Sequence, residues 1–215
     1  MSWSRDAAAV MENEHVLLRP VAETDREAVR AVAMDPEIWR YFVSAVTDEA
    51  DYTAFFDTCL ADHAAGRRAV HVIVDKASGR VAGSMSFGNM AEADRRLEIG
   101  WSWLGRDFRG KGINRWAKYL LLRHAFEVLE AERVEFKTDV LNIQARRGLR
   151  NIGAVEEGTL RSFNYMPGGR RRDAVFYSVL RAEWPRVEWE LATKPKVAPW
   201  ERPADTDDAV LSAAG

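Results

Sequence analysis

The sequence predicts one mixed α/β domain built around a single central sheet. Several short segments alternate apolar and polar residues, most clearly residues 96–104, as half-buried strands do. Segments with apolar residues at helical spacing lie between them. The order is strand, two helices, three strands, helix, strand, helix and hairpin, which indicates a mixed sheet flanked by helices rather than a repeating β-α unit.

The first six elements follow from this periodicity and from the residues at their ends. Strands are predicted where apolar and β-branched residues cluster between turn residues. Helices are predicted where apolar residues recur every three or four positions between a capping Thr or Asp and a glycine. In chain order these elements are a strand at 15–21, helices at 26–34 and 48–65, and strands at 69–74, 81–87 and 96–104.

The alternation within residues 96–104 predicts which side chains share a face. We expect one face to carry Leu97, Ile99, Trp101 and Trp103. The opposite face is then expected to carry Glu98, Gly100, Ser102 and Leu104.

The second half continues the same pattern and ends in a polar segment. Its predicted elements are a helix at 113–128, a strand at 134–140, a helix from Asn142 to near Gly153, strands at 154–161 and 173–180, and a helical turn or two after Trp184-Pro185. Residues 1–193 are assigned to one domain. Proline, alanine and aspartate dominate residues 194–215, which are predicted to form a flexible C-terminal tail.

Composition excludes several classes of protein. The 215 residues are 47% hydrophobic and carry a net charge of -2. No apolar run approaches the roughly 20 residues of a membrane helix, and a general nucleic-acid binder would be strongly basic. The single cysteine, Cys59, excludes an internal disulfide and fits the cytoplasm. The four histidines lack metal-ligand spacing, so no metal is expected.

Basic residues concentrate around a pair of glycines in Arg109-Gly110-Lys111-Gly112-Ile113-Asn114. This turn lies between a predicted strand and an amphipathic helix. Glycines let the backbone approach a ligand, and the unpaired amides of a helix's first turn attract anions. The turn therefore favours a phosphate site, although a salt-bridged surface also explains a charge cluster. It matches neither a P-loop, since Lys111 is followed by Gly112, nor a Rossmann fingerprint, since Arg115 replaces the third glycine.

The turn resembles the Arg/Gln-x-x-Gly-x-Gly/Ala signature of the GNAT acetyltransferase superfamily. Residues 97–104 and 137–142 are similar to that family's fourth and fifth strands, and residues 120–127 resemble its RimJ/RimL-like branch, as do Gly153-Ala154 and Glu183-Trp184-Pro185. The resemblance implies the GNAT fold, a mostly antiparallel sheet in which the fourth and fifth strands are parallel and splayed. It also implies acetyl-CoA as cosubstrate.

Carried over by position, the resemblance assigns cofactor contacts. It implies that the backbone of Trp103 and Leu104 pairs with pantetheine and that Asn142 and Arg146 lie beside the pantetheine and nucleotide. The pyrophosphate would be held by the amides of Arg109, Gly110, Lys111, Gly112, Ile113 and Asn114. Asn114 departs from the signature, which has glycine or alanine there.

Glu98 is the best candidate for a general base. An alkyl ammonium has a pKa of ~10, so acetyl transfer requires that a group remove its proton. Glu98 shares its predicted face with small residues that leave room for a substrate. A cross-strand surface pair explains Glu98 equally well, and Asp139 and Glu157 are weaker candidates. The family's usual acids are absent, because Leu149 and Ala145 occupy their positions; Tyr165, Tyr177 or a water are the substitutes left open.

The expected function is direct acetyl transfer from acetyl-CoA to a primary amine in a ternary complex. The acceptor is either a protein N-terminus or a small molecule, selected by the two early helices and residues 163–172. The arginines of that segment would favour an acceptor with a carboxylate or phosphate. A homodimer is possible from the resemblance, and no nucleic-acid or membrane partner is expected. The alternatives are a non-catalytic acyl-CoA-binding module and an RNA binder that uses Arg170, Arg171 and Arg172.

Overall fold

The computed structural model describes residues 3–193, whose strands form one sheet. The strands are β1 (Met11–Glu12), β2 (Val16–Pro20), β3 (Arg68–Asp75), β4 (Arg80–Ala91), β5 (Arg96–Leu104), β6 (Arg133–Asp139), β7 (Val155–Tyr165) and β8 (Arg171–Leu180). Their order across the sheet is β1-β2-β3-β4-β5-β6-β8-β7. All neighbours are antiparallel except β5 and β6. The predicted mixed sheet is therefore confirmed.

Six α-helices accompany the sheet within the described residues. They are α1 (Trp3–Asp6), α2 (Arg26–Ala33), α3 (Glu49–Ala64), α4 (Ile113–Glu127), α5 (Ile143–Asn151) and α6 (Trp184–Thr193). The side chain of Asp48 accepts the amide of Asp51 and caps α3. The glycine predicted to end this helix, Gly66, adopts φ +68, a conformation that other residues rarely adopt.

The helices divide between the two faces of the sheet and bury two apolar clusters. The larger cluster includes Leu97, Leu120, Phe136 and Tyr177, and α4 in this layer packs against β1, β2, β5 and α6. The second cluster lies under α2 and α3, which contact β4 and β3. Glu98 lies on this side of the sheet, since its neighbours Leu97 and Ile99 face the larger cluster.

The parallel pair β5–β6 stays together for only three residues of each strand. Arg96, Leu97 and Glu98 pair with Arg133, Val134 and Glu135. Beyond Glu98, β5 continues along β4 and β6 continues along β8. The two strands therefore splay, as predicted, and open a gap in the middle of the sheet.

A β-bulge changes the expected faces of β5. Ser84 pairs with Trp103 but Ser86 pairs with Gly100, so β5 contains one extra residue between these pairs. Trp101 takes up the bulge at φ +51. The prediction of unbroken alternation was wrong, because a bulge inverts the facing of every later residue.

The inverted facing brings two tryptophans onto the face of Glu98. A Cβ on Gly88, which pairs with Glu98, would collide with the ring of Trp101. Trp103 packs in the cluster under α2 and α3, whereas Leu104 packs against the other cluster. Trp101 and Trp103 therefore lie on the same face of the sheet as Glu98, not on the opposite face.

Two further features were not predicted from the sequence. Helix α1 and strand β1 precede the expected first strand, and the buried Trp3 and Met11 join the larger cluster. The segment predicted to be a flexible tail, 194–215, lies outside the described residues. No helix among residues 3–193 is long and apolar enough to cross a membrane.

Candidate active site

The glycine turn lies at the start of α4, directly after the splayed end of β5. Gly110 has φ +79 and Gly112 has φ +87, so both adopt the left-handed conformation that favours glycine. Gly110 and Lys111 are exposed. A Cβ on Gly110 would meet no atom within 4 Å, so space is open above the turn.

The backbone amides of this turn are available to a ligand. Among residues 3–193, no acceptor pairs with the amides of Gly110, Lys111 or Gly112. The first helical bond of α4 runs from the amide of Trp116 to the carbonyl of Gly112, which carries no side-chain cap. The N–H groups of the first turn thus add to the positive end of the helix dipole. This arrangement suits a diphosphate.

Arg109 braces the turn from the side. Its Nε donates a 3.0 Å hydrogen bond to the carbonyl of Leu104, and its guanidinium lies 3.7 Å from Asp35. Lys111 projects more freely, with Nζ 5.9 Å from the ring of Phe108. Of the two cations expected to meet a phosphate, Lys111 is therefore the more available.

Register fixes which backbone groups of β5 face the gap. The amide of Gly105 donates to the carbonyl of Ala82 on β4 over 2.9 Å. Alternation along an antiparallel pair then directs the backbone groups of Trp103 toward β4 and those of Leu104 toward the gap. Since the carbonyl of Leu104 already accepts from Arg109, its amide is the group left facing the gap. Of the two expected pantetheine contacts, this geometry favours Leu104 over Trp103.

Asn114 has a structural partner that accounts for its departure from the family signature. Its Oδ1 accepts a 2.9 Å hydrogen bond from Nζ of Lys118, one helical turn later. Lys118 is only 5% exposed, and burial lowers its pKa to about 8. Glycine or alanine at position 114 would leave this buried amine without its acceptor. The side chain of Asn114 therefore stabilises α4 by binding Lys118, and its backbone amide remains at the glycine turn.

Asn142 and Arg146 lie at the beginning of α5, where β6 ends. Asn142 caps this helix, because its Oδ1 accepts the amide of Ala145 over 3.0 Å. Arg146 donates from Nε to the hydroxyl of Tyr177 at 3.3 Å and lies 3.6 Å from Glu156. Their expected contacts with pantetheine and nucleotide stay a prediction.

Glu98 is buried in a polar setting at the point where β5 and β6 part. It is 4% exposed. Its Oε2 accepts hydrogen bonds from Nζ of Lys137 at 2.8 Å and from Nδ2 of Asn89 at 2.7 Å. Both donors bind the same oxygen, and within the described residues Oε1 has no hydrogen-bond donor. Oε1 is thus the carboxylate oxygen left open to a ligand.

The backbone around Glu98 is shaped to leave Oε1 accessible. A Cβ on Gly100 would lie 2.7 Å from Oε1, so only glycine leaves this space. Asn89 adopts φ +48 within a second irregularity, where β4 pairs with β5 at Gly88 and next at Ala91. Asparagine adopts this left-handed conformation more readily than most residues. In it, the side-chain amide of Asn89 donates to Glu98.

A cleft of about 500 Å³ adjoins Asn89 on the same face of the sheet. Its walls come from α3, the segment before it, and the starts or ends of β3, β4 and β5. The lining residues are Phe42, Ser44, Ala45, Asp51, Ala54, Phe55, Thr58, Asp62, Arg67, Arg68, Asn89 and Trp101. Arg68 stacks over Trp101 at 4.9 Å and donates to Asp62 over 2.7 Å. The cleft is large enough for an acceptor and ends beside the Asn89–Glu98 bond.

The residues considered as substitute acids lie away from this face. Tyr177 packs in the larger cluster on the opposite face, and its hydroxyl donates to Glu156 over 2.7 Å. Tyr165 is 68% exposed and pairs with Arg171, so it faces away from the side chain of the adjacent Arg172. Leu149 is buried in the larger cluster. A water therefore stays the simplest proton donor among the options that the sequence left open.

The weaker base candidates are both held by arginines. Asp139 is fully buried, and its carboxylate accepts from Arg170 and from the amide of Leu141. Glu157 accepts from Arg133 and from the hydroxyl of Ser178. Their oxygens are occupied within the protein, in contrast to Oε1 of Glu98.

Sequence reasoning missed Asn89 and Lys137, the two residues that hold Glu98. Lys137 belongs to the segment that resembles the family's fifth strand, and its two-residue spacing from Glu135 places it on the face of Glu98. Asn89 follows Gly88, a dipeptide typical of irregular backbone, but the expected strand stopped at Phe87. Within the described residues, no group of histidine, cysteine and acidic side chains could hold a metal ion.

Comparison with known proteins places the chain in a family. Residues 15–155 match the acetyltransferase (GNAT) domain. The Bacillus subtilis (strain 168) protein named "Putative ribosomal N-acetyltransferase YdaF" is 39% identical over 106 residues, which is 49% of this chain and 57% of that protein. The match thus spans little more than half of that relative.

Solved structures share the whole fold. A T. thermophilus protein described as a "putative acetyltransferase" is 39% identical, with a TM-score of 0.78 over 85% of this chain and 95% of that one. Mycobacterium smegmatis RimJ in complex with CoA-disulfide has a TM-score of 0.74 at 22% identity, over 87% and 95% of the two chains. The chain belongs to the GNAT acetyltransferase family.

Proposed function

We propose that this protein transfers the acetyl group of acetyl-CoA directly to a primary amine, in a ternary complex. The observation that supports the proposal most is that an open phosphate-type turn and a buried carboxylate lie beside the same gap in the sheet. The open amides of Gly110, Lys111 and Gly112 lie at one side of it. The buried carboxylate of Glu98, with Oε1 uncovered, lies where the strands part.

The cofactor is proposed to lie along this gap. Amides from Gly110 to Asn114 hold its pyrophosphate, and the ammonium of Lys111 adds charge. The amide of Arg109, also expected to contribute, instead donates to the carbonyl of Arg106. The amide of Leu104 pairs with pantetheine, and Asn142 and Arg146 flank the pantetheine and nucleotide. A solved relative of the same fold, Mycobacterium smegmatis RimJ, is in complex with CoA-disulfide, which supports acetyl-CoA as the cosubstrate.

Glu98 is proposed to act as the general base. Oε1 accepts one proton from the acceptor ammonium, directly or through water, and the free amine attacks the thioester carbonyl. The C–S bond breaks as the C–N bond forms, and the nitrogen's second proton passes through water to the CoA thiolate. Positioning the amine beside the thioester supplies much of the acceleration.

Direct transfer is favoured over an acetyl-cysteine intermediate. The chain has a single cysteine, Cys59. Its side chain lies in the cluster under α2 and α3, and burial raises the pKa of its thiol. A buried thiol with a raised pKa is a poor nucleophile.

The acceptor is proposed to enter from the cleft beside Asn89. Protein N-termini are one class to test, because YdaF is named for ribosomal acetylation. A ribosomal acceptor would place the reaction in the cytoplasm. Small amines are the second class, since the cleft volume of about 500 Å³ also suits them.

A non-catalytic acyl-CoA-binding module is the second candidate function. The hydrogen bonds from Lys137 and Asn89 to Glu98 also fit a purely structural carboxylate. Both candidates bind acetyl-CoA, so binding alone does not separate them.

Thiol release from acetyl-CoA across a panel of amines and short peptides tests the proposal. Glu98→Gln is expected to lower kcat by about 10²–10⁴-fold while acetyl-CoA affinity stays unchanged. Glu157→Gln, which alters a carboxylate paired with Arg133, is the matched control and is expected to keep activity. Binding without turnover by the unaltered protein would favour the module instead.

A further inference from the structure

Three consecutive arginines begin β8 or lie just before it, and only two of them are paired. Arg170 forms an ion pair with Asp139. Arg171 donates to Ser162 and lies 4.5 Å from the ring of Tyr165. Arg172 is 6% exposed, and its enclosed Nε has no hydrogen-bond partner among the described residues. It also forms no ion pair within residues 3–193.

Sheet register places Arg172 on the same face as Glu98. Ala174 pairs with Asp139 and Phe176 pairs with Lys137, so their side chains share one face. Arg172 lies two residues before Ala174 and therefore continues that row. Lys137 reaches Glu98 from the same face. The unpaired guanidinium thus lies at the end of β6 from which the gap opens.

Aromatic rings cover part of the guanidinium. Its Cζ lies 6.0 Å from the centre of the Phe163 ring, which packs against Phe176 at 5.4 Å. Burial lowers the pKa of Arg172, and the carboxylates of Asp139 and Glu98 act against that shift. Both carboxylates are already engaged, by Arg170 and by Lys137.

Among residues 3–193, no carboxylate is left over to pair with Arg172 at this end of the sheet. A buried charge without a partner costs free energy, and proteins usually avoid it. A guanidinium presents a planar fork of donors that matches carboxylate and phosphate oxygens. The shared face thus offers two opposite binding groups. Oε1 of Glu98 can accept a hydrogen bond from a cation, and the guanidinium of Arg172 can donate to an anion.

We propose that the natural acceptor is an amine that carries an oxyanion, a carboxylate or a phosphate, and that Arg172 binds this group while Glu98 receives the amine. The inference rests on the proposed acetyl transfer and narrows its acceptor class. Arg172 is then a specificity-determining residue. A guanidinium binds a carboxylate and a phosphate in the same way, and the acceptors compared below distinguish the two groups.

Matched acceptors test the preference without altering the protein. 4-Aminobutyrate is compared with 4-aminobutyramide, and 3-aminopropylphosphonate provides the phosphate-like arm. The peptides Ala-Asp-Ala-amide and Ala-Asn-Ala-amide test a carboxylate next to an N-terminus. In at least one pair the anionic member is expected to have a kcat/KM about tenfold to a hundredfold higher, as a charge-assisted hydrogen bond supplies. Equal values in every pair would overturn the inference.

Variants locate the preference at one side chain. Arg172→Gln is expected to raise KM for the anionic acceptor by about tenfold or more, to leave kcat within a few-fold, and to abolish the preference over the neutral partner. Arg171→Gln removes the same charge one residue away, from a side chain already paired with Ser162, and is expected to keep the preference. A preference that survives Arg172→Gln, or is lost equally in both variants, would contradict the assignment.

Stability distinguishes binding from a structural role. Because Arg172 lacks a partner, Arg172→Met is expected to melt at the same temperature as the unaltered protein or higher. A lower melting temperature with an unchanged acceptor preference would show that the guanidinium serves the fold, and would overturn the inference. If no amine is acetylated and acetyl-CoA does not bind, the acetyl-transfer proposal itself fails. Turnover with equal kcat/KM for neutral and anionic acceptors would contradict this inference but not the acetyl-transfer proposal.

Discussion

The ammonium of Lys137 lies 2.8 Å from Oε2 of Glu98, across the two strands that part to form the gap. The ion pair holds a carboxylate that is only 4% exposed. It also fixes the orientation of the carboxylate, because the second donor, Asn89, binds the same oxygen. Oε1 is left to the substrate. The proposed general base therefore depends on the two residues that hold its other oxygen.

Lys137 is expected to act as a positioning residue for Glu98. Its Nζ donates a 2.8 Å hydrogen bond to Oε2, so Lys137→Met removes a charged donor and frees the carboxylate to rotate. We expect kcat to fall by about tenfold or more, the effect of one hydrogen bond between charged groups, with the Kd for acetyl-CoA unchanged. Lys76→Met, which removes an exposed lysine paired with Glu12, should leave kcat in place. Equal kcat values for the two variants would contradict the role.

Asn89 is expected to act as a positioning residue for Glu98. Asn89→Gly keeps the left-handed backbone at φ +48 but removes the amide donor. We expect kcat to fall by about tenfold or more, the effect of one hydrogen bond to a charged group, with KM for acetyl-CoA unchanged. The matched control is Glu130→Gly, the same backbone change at φ +53 in another loop. Steady-state kinetics that find equal kcat values for the two variants would refute the role.

Most of the fold was predictable because it follows from local patterns. Apolar periodicity located the strands and helices, and the glycine turn marked the beginning of α4. The bulge at Trp101 was not predictable, since alternation along Leu97, Ile99, Trp101 and Trp103 continues in the sequence without a break. A single extra residue reverses the faces only once β5 is paired with β4.

The site was predictable in its backbone and less so in its side chains. The phosphate turn depends on consecutive residues, whereas Glu98, Asn89 and Lys137 come from three strands and meet only in the folded sheet. The role of Asn114 was also hidden, because its partner Lys118 is recognisable only from its burial. Interactions between distant elements are what a single sequence reveals least.

Lys118 is expected to make stability depend on pH. Its pKa falls from 10.5 in the unfolded chain to about 8 in the fold, so between those values folding releases a proton. The free energy of unfolding should therefore rise as pH increases from about 8 to 10.5, by up to roughly 3 kcal/mol. Below pH 8 the burial penalty is present in full.

The Lys118→Met variant isolates this effect. It is expected to be more stable than the unaltered protein at pH 7 and to lose the rise above pH 8, as measured by urea unfolding at pH 7, 8, 9 and 10. Lys111→Met, at an exposed position, should retain the rise. A rise that persists in Lys118→Met would assign the linkage to another group.

Calorimetric titration of acetyl-CoA into Gly110→Ala is the most direct test of the proposed diphosphate site. Gly110 has φ +79 and open space around it, so alanine adds backbone strain of about 1–2 kcal/mol without a collision. Gly79→Ala imposes the same change at φ +69 in the β3–β4 turn, also in open space. We predict that Gly110→Ala weakens the Kd by about fivefold to thirtyfold and that Gly79→Ala leaves it unchanged. Equal Kd values for the two variants, or no binding by the unaltered protein, would contradict the account.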